Sequence, residues 1–142
     1  MALKVELKPH ERIIVGSCVI TNTDQRARLL IDGDKIPILR EKDIMQPKDA
    51  KTPARLVYLA IMMMYLDGDT SEEPYNEFAL RMTEFMGAIQ NRAVLAACVE
   101  ISRDVVQGAY YRALISCRKL FDFEQERLSY DPEELPKRTA RG

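Results

Sequence analysis

The sequence predicts an α+β protein, with a small N-terminal antiparallel β unit of four or five strands packed on about four C-terminal helices. Three observations lead there. Apolar residues recur with period two through the first forty positions, and from Thr52 onward they recur at the helical spacing of three and four. Between Ala54 and Leu66, twelve of thirteen residues are apolar or tyrosine, Arg55 being the exception. A helix apolar on nearly every side must be covered on nearly every side. A membrane span needs about 20 such residues, and Asp67-Gly68-Asp69 stops this run well short. The run is therefore expected to be a central core helix that the rest of the chain wraps.

The β elements follow in order. Leu3, Val5 and Leu7 alternate with Lys4, Glu6 and Lys8, as in a half-buried strand. Pro9-His10 breaks it, Ile13 to Val15 begins a second strand, and Gly16-Ser17 bends it into Cys18 to Thr21. After the turn Asn22-Thr23-Asp24, Ala27, Leu29 and Ile31 alternate with Arg26, Arg28 and Leu30. Asp32-Gly33 is a tight-turn pair that predicts a hairpin onto Lys35 to Leu39. Pro37 cannot donate to a ladder and belongs at an edge or bulge. The unit, residues 1–46, is expected to be a small sheet, sandwich or partial barrel.

The helical bundle is expected over residues 52–129. Thr52 before Pro53 offers a hydroxyl cap and a proline at the first helical position. Tyr75, Phe78, Ala79, Met82, Phe85, Met86 and Ile89 form the stripe of a second helix. Val94, Leu95, Cys98, Ile101 and Val105 mark a third, ending near Gly108. Tyr110, Ala113, Leu114, Cys117, Leu120 and Phe121 mark a fourth, running to about Leu128 and forming an antiparallel hairpin with the third. Residues 130–142 read as a flexible tail with little to bury.

Composition narrows the function. The 142 residues carry a net charge of −1, with 46% hydrophobic and 30% charged residues. That suits a soluble domain with a sizeable core and gives no whole-molecule field toward nucleic acid or membrane. Residues 1–51 hold ten Lys/Arg against eight Asp/Glu, and the remainder eleven against fourteen. Three cysteines without close spacing fit reduced thiols, and no apolar signal segment opens the chain, so a cytoplasmic protein is expected.

The residues for catalysis are sparse. His10 is the single histidine and falls in an expected turn. There is no CxxC pair, no GxxxxGK[ST] and no GxGxxG, so neither a zinc site nor a nucleotide loop is predicted, and no cofactor. Glu72-Glu73 suits a helix start, and Glu133-Glu134 lies in the tail. Cys98 and Cys117 lie equidistant from the turn at Gln107-Gly108, as small buried side chains where two helices approach or, in the sharper reading, as a redox switch. A non-enzymatic protein is expected.

Two binding surfaces remain. Arg12, Arg26, Arg28, Lys35, Arg40 and Lys42 decorate the predicted strands, and the arginine fork suits phosphate. Residues 1–51 contain no aromatic, so a stacking platform for single-stranded RNA is missing there. Alternatively, Tyr58, Met62, Tyr65, Tyr110 and Tyr111 could line an adaptable apolar groove for a partner helix or a homodimer.

Several separated blocks carry a family resemblance. Ile38-Leu-Arg-Glu-Lys-Asp-Ile-Met45, Thr52-Pro-Ala-Arg-Leu-Val-Tyr58 and Met64-Tyr-Leu-Asp67 come first. Gly108-Ala-Tyr-Tyr-Arg-Ala-Leu114, Cys117-Arg-Lys-Leu120 and the opening Leu3-Lys-Val-Glu-Leu-Lys-Pro9 complete the set. Together they resemble the FlbT family of flagellum biosynthesis repressors, in order, over roughly residues 2–128. The resemblance implies post-transcriptional control of flagellin, by association with the 5′ untranslated region of flagellin mRNA and promotion of its decay, without catalytic residue or cofactor. On that reading the sheet cations contact a stem-loop in the mRNA leader. The alternative is a protein-binding or chaperone-like adaptor for flagellin or another flagellar regulator, which acts on the mRNA indirectly.

Overall fold

A computed structural model describes residues 2–67 and 72–129, and the chain divides into two compact units, residues 1–45 and 46–142. The arrangement is α+β, with five antiparallel strands in two sheets followed by four helices. The expected tail, 130–142, lies outside the described residues.

The first unit contains β1 (Ala2–Leu7), β2 (Arg12–Val15), β3 (Cys18–Thr21), β4 (Ala27–Asp32) and β5 (Ile38–Arg40). Strands β1 and β4 form one sheet, with Val5 opposite Leu29 and Glu6 opposite Arg28. The second sheet has the order β3-β2-β5. Period two decides which residues point inward. Val5, Leu7 and Ile13 are buried together, with Val15, Leu29, Ile31 and Ile38 packed against them, so both sheets share one core. Gly16 takes φ +63° at the first corner of the two-residue β2–β3 turn, where glycine carries no steric penalty.

The Asp32-Gly33 hairpin does not form. Strand β4 pairs with β1 and β5 pairs with β2. Gly33 serves close approach instead, because a side chain there would collide with Ile36, and the left-handed residue of this connection is Lys35 at φ +60°. Pro37 precedes β5, an edge strand as its missing N–H requires, and its carbonyl accepts from the Gly16 amide at 2.8 Å.

The second unit contains α1 (Pro53–Asp67), α2 (Glu72–Gly87), α3 (Arg92–Val106) and α4 (Tyr110–Ser129). Helix α1 packs on α2 and α4, while α3 packs on α4. Ala54, Val57, Ile61 and Met64 of α1 are fully buried. The covering is less complete than the sequence predicts. Leu56, Leu59 and Leu66 are half-buried and Met63 is 40% exposed, because α3 packs on α4 and not on α1. Asn91 caps α3 by accepting from the Val94 amide at 3.1 Å. At its other end Gly108 adopts φ +80°, with Gly108 N–H donating to Val105 and Ala109 N–H to Asp104. This is the Schellman closure that turns α3 into α4.

The start of α1 is capped twice. Thr52 accepts from the Arg55 amide at 3.3 Å, and its hydroxyl donates to Glu124 of α4 at 2.6 Å. The other Glu124 oxygen accepts from the Ala54 amide at 2.8 Å. A carboxylate from a distant helix thus satisfies orphan donors at the positive end of α1. Glu124→Ala should lower stability by roughly 1–3 kcal/mol, the range for a charged, partly buried hydrogen-bonding group. Thermal denaturation checks this, and an unchanged midpoint would show that the bridge contributes nothing.

Candidate nucleic-acid interface

The cations of the β unit divide into separate groups. Glu6 lies on the outward face of β1, directly opposite Arg28 of β4. Arg26, one residue before β4, places Nη1 3.1 Å from Glu6 Oε1. Arg40, at the end of β5 in the other sheet, donates through Nη2 to the Glu6 carbonyl at 2.9 Å. Three arginines, two from the start of β4 and one from the end of β5, therefore gather about one glutamate. Lys4, Glu6 and Arg28 also line an open cleft of about 450 Å³ with Val5, Leu29 and Leu30. Four cations (Lys4, Arg26, Arg28 and Arg40) against one carboxylate (Glu6) leave a local charge of +3.

The remaining predicted cations lie elsewhere. The Arg12 amide donates to Glu41 Oε1 at 2.6 Å, and its guanidinium stands 3.9 Å from the same oxygen. Lys42 follows in the one-turn 3-10 helix Glu41–Asp43. Arg12 and Lys42 face Glu41 and Asp43 in near balance, so this group supplies little net field. Lys35 is exposed in the β4–β5 connection, between Asp34 and Ile36. Lys4 is the cation that sequence reasoning missed. Its alternation with Val5 reads only as solvent exposure, and the β1–β4 register, which no local motif announces, brings it beside Arg28.

Exposure suits these residues to a charged ligand. Arg26 and Glu6 side chains are 58% and 54% exposed. An ion pair that open contributes little to stability and can be exchanged for a phosphate contact. Leu30, 65% exposed, is an apolar surface beside them, without the aromatic ring that base stacking favours.

The predicted apolar groove is largely internal. Tyr58 is 2% exposed and stacks at 5.3 Å from Phe121, and Met62 is 5% exposed. Both are core, and a partner could reach them only by opening the helices. Tyr110 is half-buried. Tyr65 and Tyr111 pack at 5.6 Å, with Tyr111 46% exposed.

Cys98 and Cys117 are fully buried, and the Cys117 thiol lies 3.8 Å from the Ala54 carbonyl. Burial pushes the Cys98 thiol up to about 11 and that of Cys117 upward as well, so both stay protonated and inert at neutral pH. Among the described residues no group of three or more His, Cys, Asp or Glu is placed to hold a metal, and no helix is long and apolar enough to cross a membrane. His10 occupies a turn at φ +65°, its amide donating to Thr23 at 2.8 Å.

Comparison with known proteins decides the family. The profile described as flagellar protein FlbT matches residues 3–128, nearly the whole described chain. The chain belongs to the FlbT family. It is 47% identical over 130 residues to the flagellum biosynthesis repressor protein FlbT of Caulobacter vibrioides, covering 92% of each chain. It is 51% identical over 126 residues to a probable flagellum biosynthesis repressor protein FlbT of Bradyrhizobium diazoefficiens, covering 89% of this chain and 84% of that one. A Rhodopseudomonas palustris relative of the same name is 43% identical over 131 residues. No solved structure matches.

The thiols give a direct check of the packing. A thiol reagent at neutral pH should modify Cys18, which is exposed, and reach Cys98 and Cys117 only after denaturation. Because their folded-state values are raised, the stability they contribute is complete below the ordinary thiol value of 9.0 and declines as pH rises beyond it. Rapid modification of all three native thiols would contradict the buried assignment.

Proposed function

We propose that this chain is a non-enzymatic regulator of flagellum synthesis that binds the 5′ untranslated region of flagellin mRNA and promotes its decay or represses its translation. Relatives named as repressors of flagellum biosynthesis support the regulatory role. The observation that carries the RNA reading is the convergence of Arg26, Arg28 and Arg40 at Glu6. A protein with net charge −1 can hold a polyanion only through such a local excess. With no aromatic platform beside the arginines, contacts to backbone and shape dominate, as suits a stem-loop. Decay then follows from blocked translation or from a nuclease recruited to the complex.

A protein partner is the second reading, and the exposed ring of Tyr111 favours it, with Ile115 37% exposed one turn further along α4. The two readings separate on salt and on charge. Arg28→Ala should weaken binding to leader RNA and reduce the salt slope by about one, while Glu6→Gln should strengthen it several-fold by removing the competing carboxylate. Fluorescence anisotropy with flagellin leader RNA at several salt concentrations measures both. Affinity indifferent to salt and to both substitutions, together with a salt-resistant complex with purified flagellin, would choose the protein partner.

A further inference from the structure

We propose that β3 is the seam of a two-fold dimer, in which its free edge pairs antiparallel with β3 of a second copy. Strand β3 is the outer strand of the order β3-β2-β5, and each of its four residues is exposed, with Val19 at 63% and Ile20 at 39%. The ladder fixes which backbone groups point outward. Asn22 N–H donates to Glu11 at 2.9 Å, and alternation from there makes Ile13–Ile20 and Val15–Cys18 the hydrogen-bonded pairs. The N–H and C=O groups of Val19 and Thr21 therefore face away from β2, a template for one more strand.

Charge points to a second copy as the occupant. Unprotected edges are normally blunted with lysine, proline or inward charge. Strand β1 carries Lys4 and Glu6, β4 carries Arg28 and Asp32, and β5 carries Arg40 just after Pro37. Strand β3 carries none, and neither charge nor proline occurs anywhere from Ile13 to Thr23. A two-fold axis through Ile20 sets Val19 opposite Thr21 of the second copy and Thr21 opposite its Val19, each pair exchanging both backbone bonds. Cys18 then meets Asn22 of the second copy. Every opposed pair is neutral, so self-pairing meets no like-charge repulsion. The same operation through the middle of β1 sets Lys4 against Glu6, and through the middle of β4 sets Arg28 against Asp32, so those edges carry charged side chains that β3 lacks. The two Ile20 side chains, on the same face as Ile13, extend the apolar face of the sheet across the seam.

The register makes the proposal sharp. Ile20 and its symmetry mate form a non-hydrogen-bonded pair, with Cα atoms about 4.5 Å apart, within disulfide reach. Cys18 and its mate lie on opposite sides of the axis, too far apart to bridge. Analytical ultracentrifugation of the full chain should show a species of twice 16.3 kDa, and Val19→Lys should weaken the dimer at least roughly tenfold while leaving the circular dichroism unchanged. Cys18→Ser/Ile20→Cys should form a disulfide-linked dimer under mild oxidation, and Cys18→Ser alone should not. A monomer at every concentration up to about 100 μM, where edge pairing should dominate, overturns the proposal. A dimer indifferent to Val19→Lys, or not captured through Ile20→Cys, overturns it equally.

Discussion

A helix with twelve apolar or aromatic residues in thirteen has to be covered on more than one side, and that demand orders the helical unit. Fully burying one large aliphatic side chain is worth about 1.5–3 kcal/mol, so Val57, Ile61 and Met64 together outweigh any local propensity in the flanking helices. Helices α2 and α4 meet the demand directly. Helix α4, twenty residues long, also receives α3 and reaches back through Glu124 to close the start of α1. Burial and capping are thus coupled. The residue that holds the first turn of α1 belongs to the helix whose Ala113, Leu114, Cys117 and Leu120 are buried in the same unit.

The same economy leaves charged side chains on the surface of the β unit. Tyr58 and Met62 lie in the core, so the aromatic and methionine content of α1 chiefly builds structure. In the β unit, a core of three buried residues and four half-buried neighbours uses the inward positions of both sheets. The outward positions of β1 and β4 then hold Lys4, Glu6, Arg28 and Leu30. Glu6 organises that face, because its carboxylate orients Arg26 and its carbonyl holds Arg40 from the other sheet. A cluster fixed by one acidic residue keeps its guanidinium groups pre-placed, at the expense of some attraction for an incoming anion.

Much of this was legible in the sequence, and the parts that were not share a cause. Period two placed β1 and β4, and the spacing of Phe78, Met82 and Phe85 placed the buried face of α2. Thr52-Pro53, Gly108 and the edge position of Pro37 were all local signals with local causes. The Asp32-Gly33 hairpin failed because strand pairing is decided by the shared core, not by the turn dipeptide alone. Glu124 gave no signal as a cap because it lies about seventy residues from the amide it meets. The candidate site shows the same divide. The cationic residue types were visible, but only strand register separates Arg26, Arg28 and Arg40 at Glu6 from Arg12 at Glu41, and adds Lys4.

On the RNA reading we propose, the outward cations of the β unit, and not the helical unit, meet the polyanion. Amide hydrogen exchange with and without flagellin leader RNA tests this most directly. Binding through these cations should add protection in residues 2–7, 26–32 and 38–40 and leave α3 and α4 unchanged. Protection confined to α3 and α4, with the β unit exchanging as in the free protein, would contradict it.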